Sequence, residues 1–109
     1  MKNTIAFEVI TDIFSEELYQ YRYIVGKVTE NCFIYIWSQN GSEEIDITSK
    51  MLNQPKCELG AMIGTAKEIA DHIEICVGLH RDDCDPVTAE AATEVVNGLI
   101  EALSGESAQ

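Results

Sequence analysis

Basic residues are scarce in this chain. Seven Lys and Arg stand against 19 Asp and Glu in 109 residues, a formal net charge of −12. After Arg81 there is no base at all, while Asp82, Asp83, Asp85, Glu90, Glu94, Glu101 and Glu106 follow. Direct binding to a nucleic-acid backbone is therefore not expected, because Lys and Arg supply that affinity. Long apolar runs are missing too, so no membrane-spanning helix is expected. The opening Met1-Lys2-Asn3-Thr4 leads into a segment broken by Glu8 and Asp12, unlike a signal-peptide core, and the expected location is the cytoplasm. In that compartment the 4 cysteines stay reduced. There is no phosphate-cradling glycine loop and no dinucleotide fingerprint, so no cofactor is expected. There is neither an internal repeat nor a low-complexity segment.

What is present specifies a folded domain. Apolar residues make up 46% of the chain, ordinary for a globular protein. The length suits one domain, assigned to residues 1–104, with 105–109 as a frayed tail. Residues 3–19 combine a helical stripe (Ile5, Val9, Ile13, Phe14, Leu18) with a competing strand-like alternation (Ile5, Phe7, Val9). The stripe continues past Asp12, which favours a helix. Residues 20–48 predict a three-stranded antiparallel meander: Tyr21 to Val28, Cys32 to Ser38 and Glu43 to Thr48. Asn40-Gly41 is the hairpin signal between the second and third strands. A three-residue loop at Thr29-Glu30-Asn31 sets Val25 opposite Tyr35 and Ile24 opposite Ile36. A two-residue loop at Asn40-Gly41 sets Ile36 opposite Ile45, Ile34 opposite Ile47, Trp37 opposite Glu44 and Tyr35 opposite Asp46.

That register sorts the sheet into two faces. Ile24, Val28, Cys32, Ile34, Ile36, Ile45 and Ile47 form an aliphatic face, expected to lie under the helices. Tyr23, Val25, Lys27, Phe33, Tyr35 and Trp37, edged by Glu44 and Asp46, form an aromatic face expected to meet a partner. A helix is predicted from about Lys56 or Glu58 to His80, with a stripe of Leu59, Met62, Ile63, Ala66, Ile69, Ala70, Ile73 and Val77. Ile75 and Leu79 lie on nearly its opposite side. Asp85 is a good N-cap with Pro86 in the first turn. The last helix is predicted to run to about Leu103 on a buried stripe of Ala92, Val95, Val96, Leu99, Ile100 and Leu103. The fold class is therefore α+β: an N-terminal helix, the meander, and two C-terminal helices packed on one sheet face.

Four residues suggest chemistry. His72, Cys76, His80 and Cys84 recur every four positions, and imidazole and thiolate are zinc-type ligands. One straight helix spreads them over ~18 Å, at 1.5 Å per residue, too far to close a single tetrahedron. No CxxC or HxxxH pair supports a metal site, and Asp82-Asp83-Cys84-Asp85 lacks the glycine and terminal glutamate of an EF-hand loop. Core packing is the preferred role for these groups. No oxyanion-hole pattern or nucleophile motif accompanies the cysteines, and an enzyme is not expected.

Charge carries the functional expectation. Glu90, Glu94 and Glu101 fall within one arc of the last helix and join Asp82, Asp83 and Asp85. Solvation of a helix's polar side accounts for such a stripe; a joined acidic surface also steers a basic partner. The expected function is a non-enzymatic acidic protein that masks a basic partner, such as a nuclease toxin or a nucleic-acid-processing complex. Small toxin-immunity proteins and phage-encoded inhibitors share this composition, which is analogy only. The acids would steer, and Tyr23, Tyr35 and Trp37 would anchor. The alternatives are a homodimeric adaptor or dedicated chaperone using the aromatic face, and a Cys/His metal-binding protein.

Overall fold

The computed structural model describes residues 6–39 and 59–108. Among these residues four strands form one antiparallel sheet in the order β1-β2-β3-β4: Glu8–Ser15, Tyr21–Thr29, Cys32–Gln39 and Leu59–Gly64. Helices α1 (Ala66–Asp82) and α2 (Pro86–Ala108) follow and pack on the sheet and on each other. The class is α+β, but the order of elements departs from the prediction in three places.

Residues 8–15 are a strand paired with β2, not a helix. Ile10, Thr11 and Ile13 are β-branched and suit a pleated surface. A register shift between Val9 and Thr11 leaves Ile10 bulged. The bulge puts Ile10 and Ile13, three residues apart, against the same core. A spacing of three is what makes this strand look helical in the sequence.

The second correction concerns residues 59–64. They extend the sheet instead of beginning the helix, pairing Ile36 with Ala61 and Ile34 with Ile63. Gly60 and Gly64 weaken any helix there. The helix starts at a capping box: the Glu68 amide donates to Thr65 Oγ1 at 3.3 Å, and the Thr65 amide donates to Glu68 Oε1 at 2.9 Å. The Asn40-Gly41 turn and the strand Glu43 to Thr48, with Glu44 and Asp46, lie outside the described residues. The β2–β3 register is as predicted, with Val25 opposite Tyr35 and Ile24 opposite Ile36.

Third, the described β2 and β3 residues sort into the two expected faces, but the faces are oppositely used. The helices cover the aromatic face. Tyr23, Val25, Phe33 and Tyr35 share one buried core with Ile69, Ile73 and Val77 of α1 and Ala92, Val95, Val96, Leu99 and Leu103 of α2. Large rings fill the gap between sheet and helices, and the Tyr23 hydroxyl reaches His80 on α1. The aliphatic face forms a second cluster of Ile24, Ile34, Ile36 and Ala61, with Phe7 and Val28 packed against it. Gly26 permits that packing, since a Cβ there would run into the Phe7 ring.

At the far end, α2 begins as predicted. The Thr88 amide donates to Asp85 Oδ1 at 2.9 Å. The helix continues to Ala108, beyond the expected end near Leu103 and through most of the tail read as frayed. No proline follows Leu103 to stop it.

Candidate functional site

The predicted site residues divide between the interior and one corner of the surface. Tyr23 and Tyr35 are 0% exposed beneath the helices, which corrects their assignment as surface anchors and removes the aromatic face as a dimer interface. Trp37 is half-buried, stacked on Tyr35 at 5.1 Å and tilted against His72 at 5.4 Å. These rings meet the His/Cys ladder of α1. His80 stacks on Tyr21 at 4.7 Å, and its Nδ1 lies 3.0 Å from the Tyr23 hydroxyl. His72 Nε2 lies 3.3 Å from Cys76 Sγ.

The ladder therefore pairs off instead of converging. Among the described residues no three His, Cys, Asp or Glu side chains gather where they could hold a metal. Burial lowers the pKa of both histidines and raises that of Cys76. Burial also holds the Tyr23 phenol well above its usual range, so the contact joins a protonated phenol to a neutral imidazole, and the His80 tautomer sets which of the two donates. His72 and Cys76 form a neutral imidazole–thiol pair, without the thiolate that makes a cysteine nucleophilic.

A pH dependence follows from this burial. The folded protein resists protonation of His72 and His80, whereas the unfolded chain takes up those protons near pH 6.5. Stability is therefore lost as pH falls below about 6.5, and this contribution is flat above it. The midpoint of urea unfolding should drop between pH 7.5 and 5.5, where carboxylates scarcely titrate. His80→Gln should reduce the drop; an identical drop in that variant would show that His80 has no part in it.

The surface corner is built from three segments. The β1–β2 turn, residues 16–20, is closed by the Tyr21 amide donating to the Leu18 carbonyl at 3.3 Å. Leu18 is fully buried. Tyr19 and Gln20 then take φ of 61° and 63°, the left-handed region that non-glycine residues seldom adopt. This conformation turns Tyr19 outward, and its hydroxyl lies 3.3 Å from Cys84 Sγ in the α1–α2 linker. The Tyr19 phenol is pushed up, first by that hydrogen bond and less by the negative charge of Asp85 and Asp83.

The third segment is the first half of α2. Val87, Ala91 and Glu94 succeed one another at steps of four and three, so they share a ridge. Between this ridge and β1 runs an open groove of about 240 Å³, lined by Ile13, Phe14, Ser15, Glu17, Ala91, Glu94 and Val95. Phe14, Tyr19 and Val87 are 48%, 58% and 65% exposed. Asp83 and Asp85 lie near the Tyr19 phenol, Glu17 and Glu94 line the groove, and Asp82, Glu90 and Glu16 are exposed as well. Glu101 is exposed on the same arc of α2 as Glu90 and Glu94, about three turns beyond Glu90.

The acids were legible in the sequence, whereas Phe14, Glu17, Tyr19 and Val87 were not. Reading residues 3–19 as a helix separated the first three from α2. No Gly or Asn marked the left-handed turn at Tyr19 and Gln20.

No known protein family, curated protein or solved structure matches this chain. Among the described residues no helix is long and apolar enough to cross a membrane.

Proposed function

We propose that the chain is a non-enzymatic acidic protein that masks a basic protein partner, of the kind a nuclease toxin or nucleic-acid-processing complex presents. One observation carries this reading: exposed Tyr19 lies against the acidic α1–α2 linker, beside Asp83 and Asp85, with exposed Val87 in the first turn of α2. Apolar and aromatic side chains within a charged rim are what docking surfaces use for affinity and for steering. Tyr19 and Val87 take the anchoring role first given to Tyr23 and Tyr35. Asp82, Asp83, Asp85, Glu90 and Glu94 keep the steering role, with Glu101 on their outer margin.

The test is affinity capture from native lysate at low salt, followed by association kinetics with the captured protein. The partner should be basic, and its association rate should fall roughly tenfold or more between about 0.05 and 0.5 M salt. Replacing Glu17, Asp83 and Glu94 by Lys should slow association at low salt by roughly 10- to 100-fold, with folding intact by circular dichroism. A salt-independent interaction, or parental association by the folded variant, would overturn the proposal. Asp85 is left unchanged because it caps α2.

A further inference from the structure

We infer that the outward side of α1 is a second docking surface, for a basic amphipathic helix of the partner protein. The inference rests on the docking reading above for the partner's charge. It adds a separate contact and the form of the segment that makes it.

Ile75 and Leu79 carry the inference. They stand one helical turn apart, and each is 63% exposed. Their positions lie nearly opposite the core stripe of α1. The structure buries Ile69, Ile73 and Val77 on that stripe and covers neither Ile75 nor Leu79. Exposed apolar side chains scattered singly are ordinary. Two large aliphatics adjoining on one ridge are the pattern by which helices pack on each other. The second helix supplies the contrast. Beyond its first turn, α2 exposes Glu90, Glu94, Asn97 and Glu101, a solvated polar back.

Charge selects the occupant. At roughly 100° per residue, exposed Glu68, Asp71 and Asp82 fall within about 40° of Ile75 around the helix. The two bases of α1 lie to one side of that arc, Lys67 at 3.4 Å from Asp71 and Arg81 at 3.8 Å from Asp82. The ridge is thus apolar at its centre and acidic at both ends. A second copy of the chain, itself of net charge −12, would set acids against acids. A basic segment has the complementary charge.

Backbone chemistry selects a helix. An extended segment binds by adding a strand to a sheet edge. Within α1 the amides and carbonyls bond to one another, so this surface has no backbone groups for a partner's strand to pair with. A segment buried here must satisfy its own backbone, as a helix does. The rise from Asp71 to Asp82 is about 16 Å at 1.5 Å per residue, so a partner helix of about three turns reaches both acidic ends.

The test is a titration of the full chain, followed by amide NMR, with a capped leucine–lysine peptide of about 14 residues whose leucines recur at helical spacing. One control is the isomer in which leucine and lysine alternate, and the other is the helical leucine–glutamate counterpart. The helical basic peptide should shift residues 71–82 saturably, with Kd on the order of 0.1 mM for so small a contact. Both controls should bind at least roughly tenfold more weakly. Ile75→Ala and Leu79→Ala should each weaken binding several-fold. Neither should change the melting temperature appreciably, because alanine favours helix and both side chains lie outside the core.

Equal binding by either control, or parental affinity in the double alanine variant, would overturn the α1 surface. Shifts confined to residues 16–20 and 83–87 would also remove it, while sparing the docking corner. No saturable shift anywhere would remove the α1 surface as well, and the corner would then stand or fall by its own salt test. Resonances of 71–82 that move with protein concentration alone would give the surface to a second copy and overturn the inference.

Discussion

Tyr35→Ala should destabilise the protein by about 3–5 kcal/mol, whereas Tyr35→Phe should stabilise it by about 1 kcal/mol. Opposite signs are expected because ring and hydroxyl have opposite effects here. The ring is fully buried on β3, stacked on Trp37 at 5.1 Å and met by the edge of His72 at 5.8 Å. Removing it leaves a cavity between sheet and α1 that the surrounding core only partly fills. The hydroxyl, by contrast, is buried and has no hydrogen-bond partner among the described residues. Burial also raises its pKa well above the ordinary value, so it cannot relieve its position by ionising. Phenylalanine keeps the packing and avoids burying that polar group. Thermal and urea unfolding of both variants provide the check, at roughly 4–8 °C per kcal/mol for a domain near this size. A Tyr35→Phe variant less stable than the parent would show that the hydroxyl is satisfied after all.

Leu18→Ala should cost about 2–5 kcal/mol, an unusually large loss for a residue in a hairpin turn. Leu18 inserts into the main core with no exposure, and this insertion holds the chain as it reverses. The next two residues occupy left-handed conformations, each unfavourable by roughly 1–2 kcal/mol for a side chain with a Cβ. Burial of Leu18 and the Tyr19–Cys84 contact offset that strain. Without the leucine, the turn can relax and withdraw Tyr19 from Cys84. Gln20→Gly should act in the other direction, gaining on the order of 1 kcal/mol, because glycine adopts positive φ freely. Urea unfolding measures both effects, and amide NMR of Tyr19 and Cys84 reports whether the corner comes apart. A mild loss in Leu18→Ala with those resonances unmoved would mean that the turn is held by other contacts.

The turn also shows why part of the site was hidden. Asp82, Asp83, Asp85, Glu90 and Glu94 could be found by charge because they lie close together along the chain. Glu17 and Tyr19 join them only after β1 pairs with β2 and α2 returns across the sheet. The β1 bulge adds a local disguise, since it gives strand residues a helical spacing. At Gly64-Thr65 the signal was present but unused: Thr65-x-x-Glu68 is a capping box, and it divides a strand from a helix within one apolar run. The β2–β3 register was readable because period-two alternation and a short loop leave few alternatives.

Several features are local and follow from the sequence by itself. They are the acidic surface, the β2–β3 hairpin, the Asp85 cap, the buried stripe of α2, and the sorting of sheet residues into aliphatic and aromatic sets. Charge, alternation and capping each act over a few residues and need no knowledge of the distant chain. Only the tertiary structure decided which set lies beneath the helices. Both sheet faces are apolar enough to be covered, so hydrophobicity cannot choose between them. The choice depends on shape and polar matching: the Tyr and Trp rings fill the space under α1, and Tyr23 reaches His80. With those rings buried, the corner formed by the β1–β2 turn and α2 offers the exposed apolar groups beside the acids.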